Sequence, residues 1–556
     1  MKKLMKFKNI VIVSFIVAIT SISCSKQLDI NDDPNNPTSL SSSVLLPRVE
    51  RYIGESLGMG SGFSTNLSAY MHQMVHYGDA DEYGAGGNDY YWDLGWTYAY
   101  RNVITNANII IKQDTELGNL RYVGIAKILK AYMFSVLVDL FGDVPYSEAN
   151  QLVEGVKYPK YDKGSDIYPQ LIEMLDEAIS DLQDNTALNA KKPGSDDVIY
   201  KGDVPSWIRA ANSIKLKLYV QQRKVKNVAT EVNTLLSGNN LIATKEQSFV
   251  IPYGPNGATD DRNPGFGEYF STQRVMHVSP WLYEIMKGYN PTILSGLEDP
   301  RIPYYIYNQM TEDDDPSSEV EYRDGAFVSK YFGSTGPNNG KNAQNTASLF
   351  GIYPVGGRFD DGEGGVASAS SGTGAVPYRL ITAADILFMK AELIQEGVIT
   401  GDAAATLKSA IEESFNMVDY VVKGTSTTQT VPTLANSTKA NDYITSVMLQ
   451  FGSASTAKKL ELIMTQKWLS SVGSWVDQYT DYRRTGYPVL FDPTNYGGSV
   501  TPPAGGNGGE DLPPVPVQLS RKFPNSLPFI SEELNLNTNA PAQKTDLSAA
   551  KVFWMP

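Results

Sequence analysis

The amino-acid sequence predicts a mostly α-helical protein with a loop-rich region, rich in Gly, Pro and aromatic residues, inserted in its middle. Two long stretches repeat apolar residues every three to four positions, which is the period of amphipathic helices. Between these stretches Gly, Pro, Asn and Asp recur every few residues and interrupt the period. Helices of this length with short connections indicate stacked helical hairpins, as in tetratricopeptide-like solenoids, although no strict repeat of about 34 residues is present.

Residues 1–23 are predicted to be a signal peptide. Lysines in MKKLMKFK precede an apolar run, NIVIVSFIVAIT, of about a dozen residues, whereas a membrane span needs about 20. Cys24, the single cysteine among 556 residues, directly follows TSIS, and this order is the pattern of bacterial lipoproteins. We therefore expect acyl chains on Cys24 to anchor the protein in a membrane. Ser21 stands where Leu is commonest in this pattern, and a free cysteine in an ordinary signal peptide is the alternative.

Residues 24–41 are predicted to be a lipidated tether, because they are polar and rich in Asn, Asp and Pro. Residues 42–556 are predicted to form one domain, whose first part, residues 42–243, is helical scaffold. One of its helices is apolar on most sides and stops at Gly142 and Pro145, which predicts a buried position. The segments that predict these helices are SSVLLPRVERYIGESL, WTYAYRNVITNANIIIKQ, RYVGIAKILKAYMFSVLVDLFGDVPY, DIYPQLIEMLDEAISDLQDN and PSWIRAANSIKLKLYVQQRKV.

Residues 244–376 are the predicted loop-rich region, in which apolar pieces such as SFVIPY and AFVSKYF alternate with turn residues. Helical scaffold returns over residues 377–487, and residues 488–556 are predicted to be an irregular C-terminal segment. Loops held by a rigid helical frame are where binding residues most often lie. The segments that predict the later helices are LITAADILFMKAELIQEG, DAAATLKSAIEESFNMV, TAKKLELIMTQKWLSSVG and SWVDQYTDYRR.

The charge of the chain argues against a nucleic-acid partner. The net charge is −14, and removal of the signal peptide takes away four lysines and changes it to −18. A polyanion is repelled by such a protein, and no stretch combines clustered Lys and Arg with aromatic residues.

Signatures of catalysis and of metal binding are few. His72 and His76 have the spacing of a zinc pair but lack the Glu of the H-E-x-x-H motif, and GSTGPNNGKN does not match a phosphate-binding loop. The acidic clusters TEDDDP and DDGEGG have oxygen ligands that calcium accepts, but not the spacing of an EF-hand loop. We therefore predict that the protein is not an enzyme and has no cofactor, with calcium possible but not supported by motif spacing.

Aromatic side chains in the predicted loops are the candidates for ligand binding. Flat rings beside amides, carboxylates and arginine match the apolar faces and hydroxyl rims of sugars, and they match the rings and backbone of peptides as well. The alternative is that these rings pack the loops onto the helices, which we expect for more than half of them. The predicted ligand-binding residues are Tyr83, Tyr90, Tyr91, Trp92, Trp96, Tyr269, Arg274 and Trp281.

Several segments together resemble the SusD/RagB family of outer-membrane lipoproteins. The matching segments occur in the order that is typical of the family. They are the start CSKQLDINDDPNNPTS, the helix ending FGDVPY, and the segments GDVPSWIRAANSIKLKLYVQQR, LEDPRIPYY, ITAADILFMKAELIQEG and LIMTQKWLSSVGSWVDQYTDYRRTGYPVL. They extend over nearly the whole chain. The C-terminal segment RKFPNSLPFISEELNLN departs from the family pattern in the spacing of its Arg, Pro, Glu and Asn.

The resemblance implies four tetratricopeptide-like units on the outer face of the outer membrane, where the protein forms the lid of a SusC-like TonB-dependent transporter. It implies capture of oligosaccharide without cleavage, and oligopeptide cargo is the alternative. Trp92 and Trp96 fall near the ligand-contacting aromatic residues of the family, whereas Asp143, Arg301 and Arg484 lie in motifs that we expect to brace helices and turns. A surface hydrolase and a scaffold that only assembles other lipoproteins are the remaining hypotheses.

Overall fold

The computed structural model describes residues 40–84, 90–271, 274–315, 321–341, 343–490 and 521–556. The predicted signal peptide, Cys24 and all but the last two residues of the predicted tether lie outside the described residues.

Helices dominate the described residues up to residue 243. Their bounds are α1 Ser42–Leu57, α2 Ser64–Tyr70, α3 Tyr90–Thr97, α4 Thr105–Leu117, α5 Leu120–Phe141, α6 Gly164–Gln183, α7 Val204–Gln222 and α8 Ala229–Ser237. A π-helical turn, Tyr98–Ile104, joins α3 to α4. α5 is buried on nearly all sides because its sequence is apolar all round. It ends at Gly142, whose φ of 84° and ψ of −108° are accessible to glycine at little cost.

The middle of the chain consists of short strands and short helices. The strands are β1 Met74–His76, β2 Val144–Pro145, β3 Tyr161–Asp162, β4 Phe249–Ile251, β5 Met276–Val278, β6 Ile306–Tyr307, β7 Tyr322–Asp324, β8 Phe327–Ser329, β9 Leu349–Phe350 and β10 Tyr378–Ile381. The helices are α9 Pro264–Phe266, α10 Pro280–Lys287, α11 Ile302–Tyr305 and α12 Ile352–Val355. β1 pairs antiparallel with β5, with Met74 opposite Val278, and this pairing connects the loop after α2 to the middle region.

Longer helices return after β10. They are α13 Ala383–Gln395, α14 Ala403–Gly424, α15 Thr438–Ser453, α16 Thr456–Ser470, α17 Trp475–Thr485 and the short α18 Ser531–Leu536. α13 begins with a reciprocal capping box between Thr382 and Asp385, which satisfies backbone N–H groups at the start of the helix. α15, which was not among the individually predicted helices, begins at the Ser437 cap.

Consecutive helices pack against each other in both helical regions. α5 packs against α4 and α6, and α13 packs against α14 and α16. One cluster of buried hydrophobic side chains extends from Leu45 to Trp554, so the C-terminal residues share the core of the first helix. The structure confirms the prediction of a mostly helical fold with a loop-rich middle.

The charged residues that we expected to brace the scaffold do so. Arg301 is fully buried and donates to both oxygens of Asp299, at 2.9 and 2.5 Å. Arg484 is buried between Glu392 and Asp481, with Nη2 2.6 Å from Asp481 Oδ1. The Asp143 carboxylate accepts the backbone N–H of Gly164 at the start of α6. Arg484 joins α17 to α13, Asp143 joins the loop after α5 to the start of α6, and Arg301 holds the turn before α11. All three side chains are engaged within the protein.

Candidate functional site

A cavity of about 560 Å³, here named the aromatic cavity, lies between the first helical region and the C-terminal segment. Tyr70 at the end of α2, Tyr83 in the following loop and Trp92 in α3 line one wall. Residues of segment 521–548 line the opposite wall, among them Phe529 and Lys544. Ligand sites of proteins are usually concave, largely apolar and between about 300 and 1,000 Å³, so the aromatic cavity has the size and lining of such a site.

The rings of the first wall contact one another edge to face. The Tyr70 ring centroid lies 5.7 Å from that of Tyr83 and 5.9 Å from that of Trp92. The Tyr70 hydroxyl donates to the Tyr83 backbone oxygen at 2.7 Å, and the Tyr83 hydroxyl lies 2.7 Å from His72 Nε2. The rings are therefore held rigidly, and they are buried except for the small surface that they present to the cavity.

The loop that carries Tyr83 is fixed by a buried carboxyl group. Both Glu82 oxygens accept the backbone N–H of His76, at 3.0 and 3.1 Å. Burial raises the pKa of Glu82 well above its usual value, although hydrogen bonds from the backbone of His76 and Gly333 oppose the shift. Glu82 thereby connects the loop that carries Tyr83 to His76 at the end of β1.

The opposite wall is attached to the helical core by backbone contacts. The Tyr479 hydroxyl of α17 donates to the Pro524 oxygen at 2.7 Å, and the Leu527 N–H donates to the Leu140 oxygen at 2.8 Å. Phe529 and Gln543 exchange two hydrogen bonds between the Gln543 amide and the Phe529 backbone. These contacts fix the C-terminal wall of the cavity on α5 and α17.

Cations are concentrated on the C-terminal wall. Lys544 Nζ donates to the backbone oxygens of Phe141 and Leu527, each at 2.7 Å, and lies 4.2 Å from the Phe529 ring centroid. Burial and, to a smaller extent, the Arg483 guanidinium lower the pKa of Lys544 to about 7, and Asp143 opposes the shift. Arg521 and Lys522 also line the cavity.

Two of the predicted ligand-binding residues, Tyr83 and Trp92, line the aromatic cavity. Tyr90 and Tyr91 precede Trp92 in α3 but are not part of the lining. Tyr90 is 53% exposed, and its ring centroid lies 5.2 Å from that of the half-buried Tyr91. These two rings lie close to the cavity in the chain and remain candidates for contacts outside it.

The other four predicted residues are buried and none of them lines the aromatic cavity, so their part in ligand binding stays a prediction. Trp96 packs on Phe141 and Tyr100, with centroids at 5.0 and 4.6 Å. Tyr269 is fully buried, and its hydroxyl donates to the sulfur of Met74. The remaining two are also buried: Arg274, which donates to the backbone oxygens of Tyr269, Gln344 and Ala367, and Trp281 in α10.

Most of the chain matches one known protein family. Residues 34–502 match the family model SusD-like_2, described as "Starch-binding associating with outer membrane". The chain belongs to the SusD-like family. The resemblance inferred from the segments around FGDVPY and DPRIPYY is confirmed.

Solved SusD-like structures share the fold. A SusD/RagB family protein from Bacteroides thetaiotaomicron is 20% identical over 93% of this chain and 99% of its own, with a TM-score of 0.66. A chitin-binding SusD homologue from Flavobacterium johnsoniae is 21% identical over 92% and 96%, with a TM-score of 0.60. A structure described as a chitin-binding protein is 20% identical over 93% and 100%, with a TM-score of 0.65. A search of curated proteins gave no match.

A second cavity, of about 650 Å³, lies elsewhere on this SusD-like chain. It is formed by the loop before α11, the segment before α15 and α15 itself, and it includes Tyr304 and Tyr443. Its lining also includes three prolines, the acidic residues Glu298, Asp299 and Asp442, and Lys439. None of the predicted ligand-binding residues lies in it.

The C-terminal wall of the aromatic cavity was missed by sequence reasoning. Phe529 and Lys544 lie in a segment predicted only to be irregular, and Tyr70 lies in a helix without a distinctive motif. The segment RKFPNSLPF carries two aromatic rings beside two basic residues, which is the one local signal that could have identified this wall.

Two histidines among the described residues are held neutral by burial. Burial lowers the pKa of His72 and of His277 to about 3, so neither imidazole is protonated near neutral pH. In the described part of the chain no three His, Cys, Asp or Glu residues are grouped as metal ligands. Nor does any helix within those described ranges have both the length and the apolar character needed to cross a membrane.

Proposed function

We propose that this SusD-like protein is a non-catalytic surface lipoprotein that captures oligosaccharide in the aromatic cavity. Membership of a family described as starch-binding and outer-membrane-associated is the observation that carries the proposal. Two of the solved structures with the same fold are described as chitin-binding. The small exposed surfaces of Tyr70, Tyr83 and Trp92 offer apolar contact at one wall, and the polar groups of segment 521–548 offer hydrogen bonds at the other.

The proposal includes where the protein works and to what it passes its ligand. Lipid attached to Cys24 holds the protein at the outer face of the outer membrane, and the ligand is delivered to a SusC-like TonB-dependent transporter. The family description associates its members with the outer membrane, which supports this location. Co-purification of a TonB-dependent barrel protein with the lipidated chain tests the partner, and its absence from a gently solubilised preparation contradicts this part of the proposal.

The cavity is tested by filling it. Thr545 lines the cavity and has an exposed side chain, so Thr545→Trp places an indole at its mouth. Ser195→Trp, at an exposed position of another loop, is the matched control. Isothermal titration calorimetry with maltoheptaose, chitohexaose and a panel of acidic oligosaccharides is expected to show binding by the wild type and the control. The Thr545→Trp variant is expected to lose at least about tenfold in affinity, which is about 1.4 kcal/mol.

The cargo and the need for metal are separated by two further measurements. Absence of binding to every glycan, together with peptides that co-purify with the protein and are identified by mass spectrometry, contradicts oligosaccharide cargo and favours oligopeptide. The proposed site uses no metal or other cofactor, so glycan affinity is expected to be unchanged after treatment with EDTA. Loss of affinity after that treatment, restored by calcium, contradicts this part of the proposal.

A further inference from the structure

The charge of the aromatic cavity is opposite to the charge of the chain. Arg521, Lys522 and Lys544 line it, and the acidic residue in the lining is Asp546, whereas the whole chain has a net charge of −14. Asp546 is engaged locally, because its carboxylate accepts the N–H and the hydroxyl of Ser548, at 2.9 and 2.7 Å. A locally positive wall on an acidic protein favours an anionic ligand group at this place.

Lys544 is placed so that it can receive such a group. Its ammonium has three N–H donors, and two of them are used by the backbone oxygens of Phe141 and Leu527. The described residues form no ion pair with Nζ, so the third donor and the charge of the ammonium are not matched by a carboxylate. Because Lys544 lines the cavity, a ligand carboxylate or sulfate there would accept from this donor.

Arg521 adds a second donor group at the same wall. Its Nε donates to Asp81 Oδ2 at 2.6 Å, and its side chain is half-exposed. A guanidinium has five N–H donors in a planar fork, and the bond to Asp81 uses one of them. The Phe529 ring, whose centroid lies 4.2 Å from Lys544 Nζ, lowers the polarity around the ammonium, which strengthens a charge-assisted hydrogen bond.

We propose that the cavity selects acidic oligosaccharides, whose carboxylate or sulfate is bound by Lys544 with Arg521 and Lys522 beside it. The inference rests on the proposed function, since it names the class of glycan taken by the same cavity. Neutral oligosaccharides of the same ring structure bind the rings but leave the ammonium without a counter-charge.

The affinity for an acidic ligand depends on pH in a defined direction. Because the pKa of Lys544 is lowered to about 7, first by burial and then by Arg483, the free protein has largely lost this charge at pH 9. Asp143 acts in the opposite direction, and Arg521, Lys522 and Asp546 are the charged groups of the cavity lining itself. A bound anion favours the ammonium form, so binding takes up a proton above about pH 7, and affinity falls as pH rises.

The decisive experiment compares two forms of one ligand. Calorimetry at about pH 6.5 measures the wild type against hexagalacturonate and its methyl ester, which keeps the sugar rings and removes the charges. Sialyllactose against lactose, and sulfated against unsulfated chondroitin oligosaccharides, extend the comparison to other acidic groups. At least one acidic member is expected to bind about tenfold or more tightly than its uncharged partner, and titrations in buffers of different ionisation enthalpy are expected to show proton uptake at about pH 8.

Variants assign the effect to the lysine. Lys544→Met keeps most of the side-chain volume, and Lys522→Gln removes a more exposed charge from the same wall, so a folding defect in the first leaves the second informative. Lys192→Gln, an exposed lysine that lines neither cavity, is the control for net charge. Both cavity variants are expected to weaken binding of the acidic ligand by a larger factor than they weaken binding of its uncharged partner. The inference is overturned, while the proposed function stands, if charged and uncharged partners bind with equal affinity or if both variants keep their acidic binding. Absence of binding to any glycan contradicts the proposed function itself.

Discussion

Replacement of Arg484 by methionine removes the centre of a buried ion-pair network. The guanidinium donates to both Glu392 oxygens, to Asp481 at 2.6 Å and to Gln221 at 2.9 Å, and the Arg484 side chain has no exposed surface. Burial raises the pKa of Glu392, but the nearby Arg223 and Arg484 outweigh burial and hold it well below the usual range. The Glu392 carboxylate is therefore ionised inside the protein, and both Glu392 and Asp481 accept hydrogen bonds from this arginine.

The cost of the change follows from the charges that it leaves behind. Glu392 keeps Arg223 at 2.7 Å and Asp481 keeps Lys467 at 2.6 Å, so each carboxylate loses one of two cationic partners. Removal of one partner from a buried pair costs about 3–5 kcal/mol, and the remaining cations place the expected loss near the lower end of that range, at about 3 kcal/mol.

Urea denaturation followed by circular dichroism measures this loss as a shift of the midpoint. Lys408→Met is the matched control, because its ion pair with Glu412 at 3.2 Å is on the surface and is expected to contribute under about 1 kcal/mol. If Arg484→Met destabilises the protein no more than Lys408→Met does, the network does not brace α7, α13 and α17 as described.

Three further predictions concern stability and anchoring. Burial raises the pKa of Glu284 from 4.5 to about 8, so the folded state holds a proton there and stability is lost as pH rises from about 4.5 to about 8. In urea titrations across this range, Glu284→Gln is expected to lose less stability than the wild type. An identical pH profile in the two proteins would refute this prediction. Gly142→Ala is expected to lower the melting temperature through about 1–3 kcal/mol of backbone strain. A steric clash is not the cause, because the nearest atom is 3.8 Å from the added carbon. Gly452→Ala in α15 is the control and is expected to be neutral or stabilising, so equal melting temperatures would contradict the strain. Cys24→Ala is expected to move the protein from washed membranes to the soluble fraction, and a variant retained on membranes would exclude a lipid anchor on this cysteine.

The helical scaffold was predictable from the sequence because its signals are local. The apolar run of α5, the glycine that ends it and the proline near the start of α7 identify these helices without knowledge of the fold. The same period places α13 and α14 correctly. α15 was missed because the apolar face of TKANDYITSVMLQFGS is narrow and is mixed with Asn, Thr and Ser.

The candidate site was predicted in part, since Tyr83 and Trp92 line the cavity and Trp96 does not. Four positions, about one helical turn, separate the two tryptophans in sequence, yet Trp96 packs on Phe141 of α5. Nothing local to the sequence distinguishes a ring that reaches a cavity from one that reaches a neighbouring helix. The sequence could not predict the position of Lys544 in the cavity for the same reason, because tertiary packing brings its partners Phe141 and Leu527 to it.

Calorimetry on the cavity-filling variant tests the central claim most directly. The aromatic cavity, with Tyr83 and Trp92 on one wall and Lys544 on the other, is expected to bind oligosaccharide in the wild type and in Ser195→Trp. Thr545→Trp is expected to lose at least about tenfold in affinity while its melting temperature stays that of the control. Undiminished glycan binding by a folded Thr545→Trp variant would contradict the account, because the ligand would then bind elsewhere on the protein.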